Sequence, residues 1–218
     1  PMASNSGKKP SQRELKKEES RTAIARAAVR LFEEKGFDAT TMDEIAQAAG
    51  VSRPTVFNYF AHKEDILLVL GVMMGERIAS RIMALDGEAN SVDPIATLRQ
   101  VVITMGTSFA EYPETSRAFH ALRVQAMRSR SKDHPPMRGL PGDNEFAQAT
   151  RFMAALVERA QRQEILRADF KANELLAHVL IGLFASVMGV WTYRGGAPSE
   201  LPDMLERHFD ITLNGIRA

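Results

Sequence analysis

The sequence predicts an all-α protein of about nine helices, a small N-terminal three-helix unit followed by a larger helical body. Three observations carry this. Apolar residues recur at helical spacing along most of the 218 residues, no run alternates apolar and polar residues between hairpin turns, and proline and glycine fall where helices would start or stop. There are no internal repeats, and 44% hydrophobic residues over this length suffice for a sizeable core.

The start, PMASNSGKKPSQRELKKEES, has no apolar face, so residues 1–19 are expected to be a disordered basic tail. It also lacks the apolar run of a signal peptide, and a cytoplasmic location is expected. The first helix buries Ile24, Ala28, Leu31 and Phe32 and stops at Gly36, which suits a left-handed C-cap. In TMDE, Thr41 and Glu44 form a capping box that opens the second helix, which ends at Gly50. Ser52 then caps a third helix with Pro54 in its first turn. Two helices joined by so short a glycine-containing turn are the sequence form of a helix-turn-helix.

A fourth helix is expected from about His62 to Ala84, with Ile66, Leu67, Leu70, Met73, Met74 and Ile78 on its apolar side. Asp93-Pro94 and Tyr112-Pro113 start two more, because proline costs nothing in the first helical turn. Residues 129–143, SRSKDHPPMRGLPGD, read as a loop. Helices from about Asn144 to Gln163 and Lys171 to Arg194 follow, then a last one carrying Met204, Leu205, Phe209, Leu213 and Ile216. The expected domains are the tail, residues 20–63, and residues 64–218.

Composition removes whole classes of chemistry. With no cysteine there is no disulfide, thiolate zinc site, iron-sulfur cluster or thiol nucleophile. The five histidines, at 62, 120, 134, 178 and 208, never fall at paired metal-ligand spacing. G-x-S-x-G, H-E-x-x-H and phosphate-binding glycine loops are all missing, so neither an enzyme nor a bound cofactor or metal is expected. The apolar stretch Leu175 to Val190 is broken by His178, Gly182 and Ser186, and no membrane span is expected. Residues 1–63 hold 11 Lys and Arg against 8 Asp and Glu, within a net charge of +1 for the chain, a weak bias toward a polyanion.

The third helix is the most informative element. Val56 and Phe60 share the face that packs on the small unit, leaving Pro54, Thr55, Phe57 and Asn58 outward, Tyr59 at the margin and Arg53 at the end. A purely solvated face would be Glu and Lys. An amide, a hydroxyl, an aromatic ring and a cation instead suit a major groove, where side chains meet base edges, thymine methyls and phosphates. From periodicity alone, aromatic core residues beside a solvated Asn58 remain the alternative.

The segment TTMDEIAQAAGVSRPTVFNYFAHKEDIL, residues 40–67, resembles the DNA-binding motif of the tetracycline-repressor (TetR) family of transcriptional regulators. The match lies in Thr40-Thr41, Ile45-Ala46, Ala49-Gly50-Val51-Ser52, Thr55, Tyr59-Phe60 and Lys63-Glu64, with AAVRLFEEKGFDATT ahead of it. About 50 residues are covered strongly. The resemblance implies that Thr41, Tyr59 and Lys63 grip phosphates and that Arg53, Pro54, Thr55 and Phe57 face bases, with Ser52 and Asn58 on the same surface. Phe57 stands where the family usually has tyrosine, and His62 where a small polar residue is common. His62 reads first as a helix cap, with a phosphate contact the alternative. The tail, with Lys8, Lys9, Arg13, Lys16 and Lys17, reads first as a solubilising arm, with minor-groove entry the alternative.

The resemblance further implies a homodimer on an operator of double-stranded DNA and a small-molecule effector in the body. The last two helices are the expected dimer surface, through Leu183, Ser186, Val190, Leu205, Phe209, Thr212 and Ile216. A mostly apolar effector pocket is expected among Met74, Met105, Phe109, Phe119, Met127, Phe152 and Leu156, with His120, Gln125, Gln148 and His178 as polar groups. By periodicity alone the Met and Phe stripe is equally ordinary core. The competing class is a helical adaptor without sequence-specific DNA binding.

Overall fold

A computed structural model of the chain describes residues 11–85, 93–129, 145–176 and 182–217. These residues form ten helices and no strand: α1 Gln12–Lys35, α2 Met42–Ala49, α3 Arg53–Tyr59, α4 Lys63–Met83, α5 Pro94–Ala110, α6 Pro113–Ser129, α7 Glu145–Arg162, α8 Ala172–Leu176, α9 Leu183–Arg194 and α10 Glu200–Ile216. The chain divides into two compact units, residues 1–69 and 70–218, with the boundary inside α4. Residues 1–10 of the expected tail, and 130–143 of the expected loop, lie outside the described residues. The helix expected from Lys171 to Arg194 is described at its two ends, as α8 and α9.

One expectation is corrected. Residues 12–19, assigned to a disordered tail, are the first turns of α1. The segment QRELKKEE is made of strong helix formers, and a helix already nucleated by its buried turns gains a hydrogen bond for each residue it adds. Lack of an apolar face therefore hid a helix that rests on the packing of residues further along.

In the first unit Ile24, Ala28 and Phe32 of α1 are buried with Ile45 and Ala46 of α2, Val56 of α3, Phe60, and Ile66 and Leu67 of α4. Phe37 meets Phe32 edge-on, ring centroids 5.1 Å apart. This small core fixes the angle at which α3 is presented.

The second unit is centred on α5 and α10. Leu98 and Val102 of α5 share one apolar cluster with Leu201, Leu205, Phe209 and Leu213 of α10 and Val187, Met188 and Trp191 of α9. The two helices approach so closely at Gly106 that a Cβ there would lie 2.8 Å from the Pro202 Cα. Arg99 pins the same pair from the rim, its guanidinium 2.5 Å from Asp210 and 3.1 Å from Glu206. On α6, Arg117 lies 4.2 Å from the Trp191 ring and donates to the Gly196 carbonyl, which ties α6 to the end of α9.

Candidate nucleic-acid interface

Local sequence builds the helix-turn-helix. The Thr41 hydroxyl accepts from the Glu44 N–H at 3.3 Å, and the Glu44 carboxylate accepts from the Thr41 N–H at 2.8 Å, closing the capping box. Lys35 reaches over from α1 to the other Glu44 oxygen, 2.5 Å away. Held by that ammonium, and then by the Thr41 N–H and hydroxyl, the Glu44 carboxyl falls from its ordinary 4.5 to about 2. At the far end of α2, Gly50 adopts φ 68°, a left-handed cap that directs the chain into the next helix. Ser52 caps α3 by accepting from the Thr55 N–H at 3.3 Å, and the Ser52 and Thr55 hydroxyls lie 2.7 Å apart.

Helix α3 buries Val56 completely, and Phe60 just beyond it is 3% exposed. The opposite face carries Arg53, Pro54, Phe57 and Asn58, all exposed, with Thr55 and Tyr59 half-buried at its edges. Phe57, 41% exposed, stands among the largest apolar groups this unit offers to solvent. His62 is exposed ahead of α4, and its backbone N–H donates to the Asp65 carboxylate at 2.9 Å. The structure thus brings Arg53, Pro54, Phe57 and Asn58 onto one outward surface.

Two polar arrangements were not foreseen. Arg53 Nε lies 2.9 Å from Asp43 Oδ1 across the turn, and its guanidinium carbon sits 5.5 Å from the Phe57 ring centroid. Lys63, expected to hold a phosphate, has its ammonium turned inward: it donates to the carbonyls of Phe37, Asp38 and Thr40 at 2.7, 3.0 and 3.1 Å. An ammonium has three N–H donors, and three carbonyls take them. The cap residues announced Glu44 in the sequence, but no helical spacing links Asp43 to Arg53 or Lys63 to the α1–α2 turn.

In the second unit the expected effector residues are distributed differently. Met105, Phe109, Phe152 and Met153 pack as partly buried side chains against Ile78, Ala79, Ile82, Val101 and Ala149, and Leu156 is buried. Phe119 lies against α4 where Gly71 has no side chain; a Cβ there would meet its ring at 2.1 Å. Met74 is half-buried on α4. His178 and the Met127 side chain lie outside the described residues, and Gln148 is exposed. These groups fill space; two cavities among the described residues are lined by none of the apolar ones.

One of those cavities, of about 20 Å³, is enclosed by Leu98, Val157, Leu166, Phe209 and neighbouring aliphatic groups, room for roughly one water. The other is an open groove of about 650 Å³ between α6 and α9, lined by His120, Ala121, Val124, Gln125, Gly189, Thr192 and Tyr193. Burial, and then the charge of Arg123, lowers the His120 pKa, so its ring favours the neutral form. The Thr192 hydroxyl is buried in the same wall without a hydrogen-bond partner among the described residues.

The expected dimer surface is corrected in part. Leu183, Leu205 and Phe209 are core residues of the protomer, 7%, 1% and 2% exposed. The apolar stripe of α10 is satisfied by α5, and periodicity reveals a stripe but not its partner. Ile216 is half-buried on the small cavity, and the half-buried Thr212 hydroxyl donates to the His208 carbonyl at 2.8 Å. Ser186 and Val190 are exposed, and beside them in sequence stands Tyr193, 94% exposed, with Ile211 of α10 at 69%.

A capped helix pair joined by Gly50, Val51 and Ser52, with a polar and aromatic outward face on its second helix, has the form of a helix-turn-helix. Residues 24–70 match the model of "Bacterial regulatory proteins, tetR family". Among curated proteins, the HTH-type transcriptional regulator EthR of Mycolicibacterium smegmatis is 37% identical over 98 residues, 44% of each chain. BetI of Rhizobium meliloti, another HTH-type transcriptional regulator, is 33% identical over 110 residues, 50% of this chain and 53% of that one. The chain spans about half the length of these curated relatives or less. A crystal structure of Thermus thermophilus FadR, a TetR-family transcriptional repressor in complex with lauroyl-CoA, superposes with TM-score 0.61 over 91% of this chain and 95% of that one, at 26% identity. The match to that family model is confined to residues 24–70, and the curated relatives this chain resembles are named as regulators of transcription.

Proposed function

We propose that this protein is a DNA-binding transcriptional regulator, a repressor that binds a palindromic operator as a homodimer and is released by a small, largely apolar effector. The observation that carries the reading is the outward face of α3. Arg53 and Asn58 are side chains that read guanine and adenine edges, Phe57 is an apolar group for a thymine methyl or sugar, and Pro54 and Thr55 complete the face. Thr41, Ser52, Tyr59 and His62 border it and suit backbone contacts.

One such helix reads too few bases for selectivity, so two are needed, about 34 to 36 Å apart. Exposed Val190, Tyr193 and Ile211, with Ser186, support a dimer surface on the outer sides of α9 and α10. The α6–α9 groove, with His120, Gln125 and the Thr192 hydroxyl as polar groups, is an opening of a size suited to an effector. Effector binding would bias the orientation of α4 and so the spacing of the two reading helices, and a coupling of about 1–3 kcal/mol makes a usable switch.

Selection from a random oligonucleotide pool at low salt tests the reading. A palindromic consensus is the expected result; enrichment of no sequence would overturn it. Displacement of that consensus by a panel of apolar carboxylates and thioesters then tests the effector.

A further inference from the structure

We propose that Asp43 is a specificity-determining residue, holding the Arg53 guanidinium as a fixed fork for a guanine base. This assignment rests on the DNA-binding reading above. Asp43 stands in the first turn of α2 and Arg53 is the first residue of α3, so the pair spans the turn of the motif. The contact is made by Nε, 2.9 Å from Asp43 Oδ1. Guanidinium has five N–H donors; with the carboxylate paired at the Nε edge, the two terminal nitrogens remain for a parallel pair of hydrogen bonds. Guanine O6 and N7 are the base-edge acceptors that match such a fork.

Phe57 restrains the second degree of freedom. Its ring lies 5.5 Å from the guanidinium carbon, one helical turn along the face of α3. A tether at Nε and a ring beside the plane leave the fork few orientations, whereas an untethered arginine could swing to the nearest phosphate. Both partners of the ion pair are well exposed, with side chains 66% and 60% accessible, so the pair adds little to folding. Its use is orientation. The carboxylate also repels phosphates, which penalises binding to any duplex where Arg53 gains nothing from the base.

The test uses full-length protein and the consensus duplex from random-pool selection, with each guanine facing α3 replaced in turn, over a series of salt concentrations. For the wild type, replacing one such guanine lowers affinity on the order of tenfold. Asp43→Asn loses most of that preference, binds unrelated duplex more tightly, and shows a salt slope steeper by about one as Arg53 turns to phosphate. Asp43→Glu restores preference in part, and Asp43→Asn has no further effect on the guanine preference in an Arg53→Ala background.

Retention of the guanine preference and salt slope in a folded Asp43→Asn protein would overturn the proposal, as would additive effects of the two substitutions on that preference. Asp43→Ser, compatible with a helix first turn, supplies the same readouts should Asn fail to fold. A pool that enriches no sequence at all would instead remove the DNA-binding reading, which separates the two failures.

Discussion

The Lys63 ammonium donates to the Phe37 carbonyl at 2.7 Å and lies 4.5 Å from the Phe37 ring centroid. One side chain thus closes the α1–α2 turn onto the start of α4, with the Asp38 and Thr40 carbonyls taking its other protons. A charge held this way positions the domain and has no donor left for a phosphate.

Lys63→Met is therefore expected to destabilise the protein by about 1–3 kcal/mol, since it orphans carbonyls at a half-buried site. DNA affinity should fall in parallel while its salt slope stays that of the wild type. Urea unfolding and a salt series on one duplex give both readings; unchanged stability with a slope reduced by about one would return Lys63 to the phosphate backbone.

Gly106→Ala places a methyl 2.8 Å from the Pro202 Cα, backbone that cannot rotate away. Helices α5 and α10 must then separate, at an expected cost of about 1–3 kcal/mol. Chemical denaturation checks this, and a neutral outcome would mean that the two helices have slack.

Ile211→Glu and Phe209→Glu should part company. Ile211 is 69% exposed and Phe209 2%, so the first substitution is expected to give folded monomers and the second to unfold the body. Sedimentation with circular dichroism distinguishes them. A dimer that survives Ile211→Glu and Tyr193→Glu together would place the assembly surface elsewhere.

Acid should act through Glu44. Its carboxyl is lowered from 4.5 to about 2 in the folded chain, so above pH 4.5 it is ionised in both states and its contribution to stability is complete. Between those values the unfolded chain takes up a proton that the folded chain refuses, so stability falls with pH and the contribution is gone below about 2. Glu44→Gln should lower the melting temperature at pH 6, by an amount that shrinks steadily as the pH falls from 4.5 toward 2; a deficit that stays constant over that range would assign the effect to the cap's shape instead of its charge.

Much of the reading unit was legible in sequence because its determinants are local. Thr41 and Glu44 are three residues apart, Gly50 and Ser52 two, and Val56 and Phe60 share a face by simple helical rotation. The Arg53–Asp43 and Lys63–Phe37 relationships depend on how α2 and α3 cross and where a turn places its carbonyls, which no periodicity encodes. For α10, the spacing of Leu205, Phe209 and Leu213 marked an apolar stripe, and only the fold showed α5 behind it. The opening turns of α1 were missed because Leu15 is their one apolar residue and they owe their helicity to residues further along.

Since Leu205, Phe209 and Leu213 complete a core inside one protomer, folding does not have to wait for a second copy. For the proposed homodimer, assembly would then be a separate equilibrium, governed by how much of the protein a cell contains. A molecule organised this way can gain or lose its grip on a two-part target simply as its own abundance changes, with no effector involved.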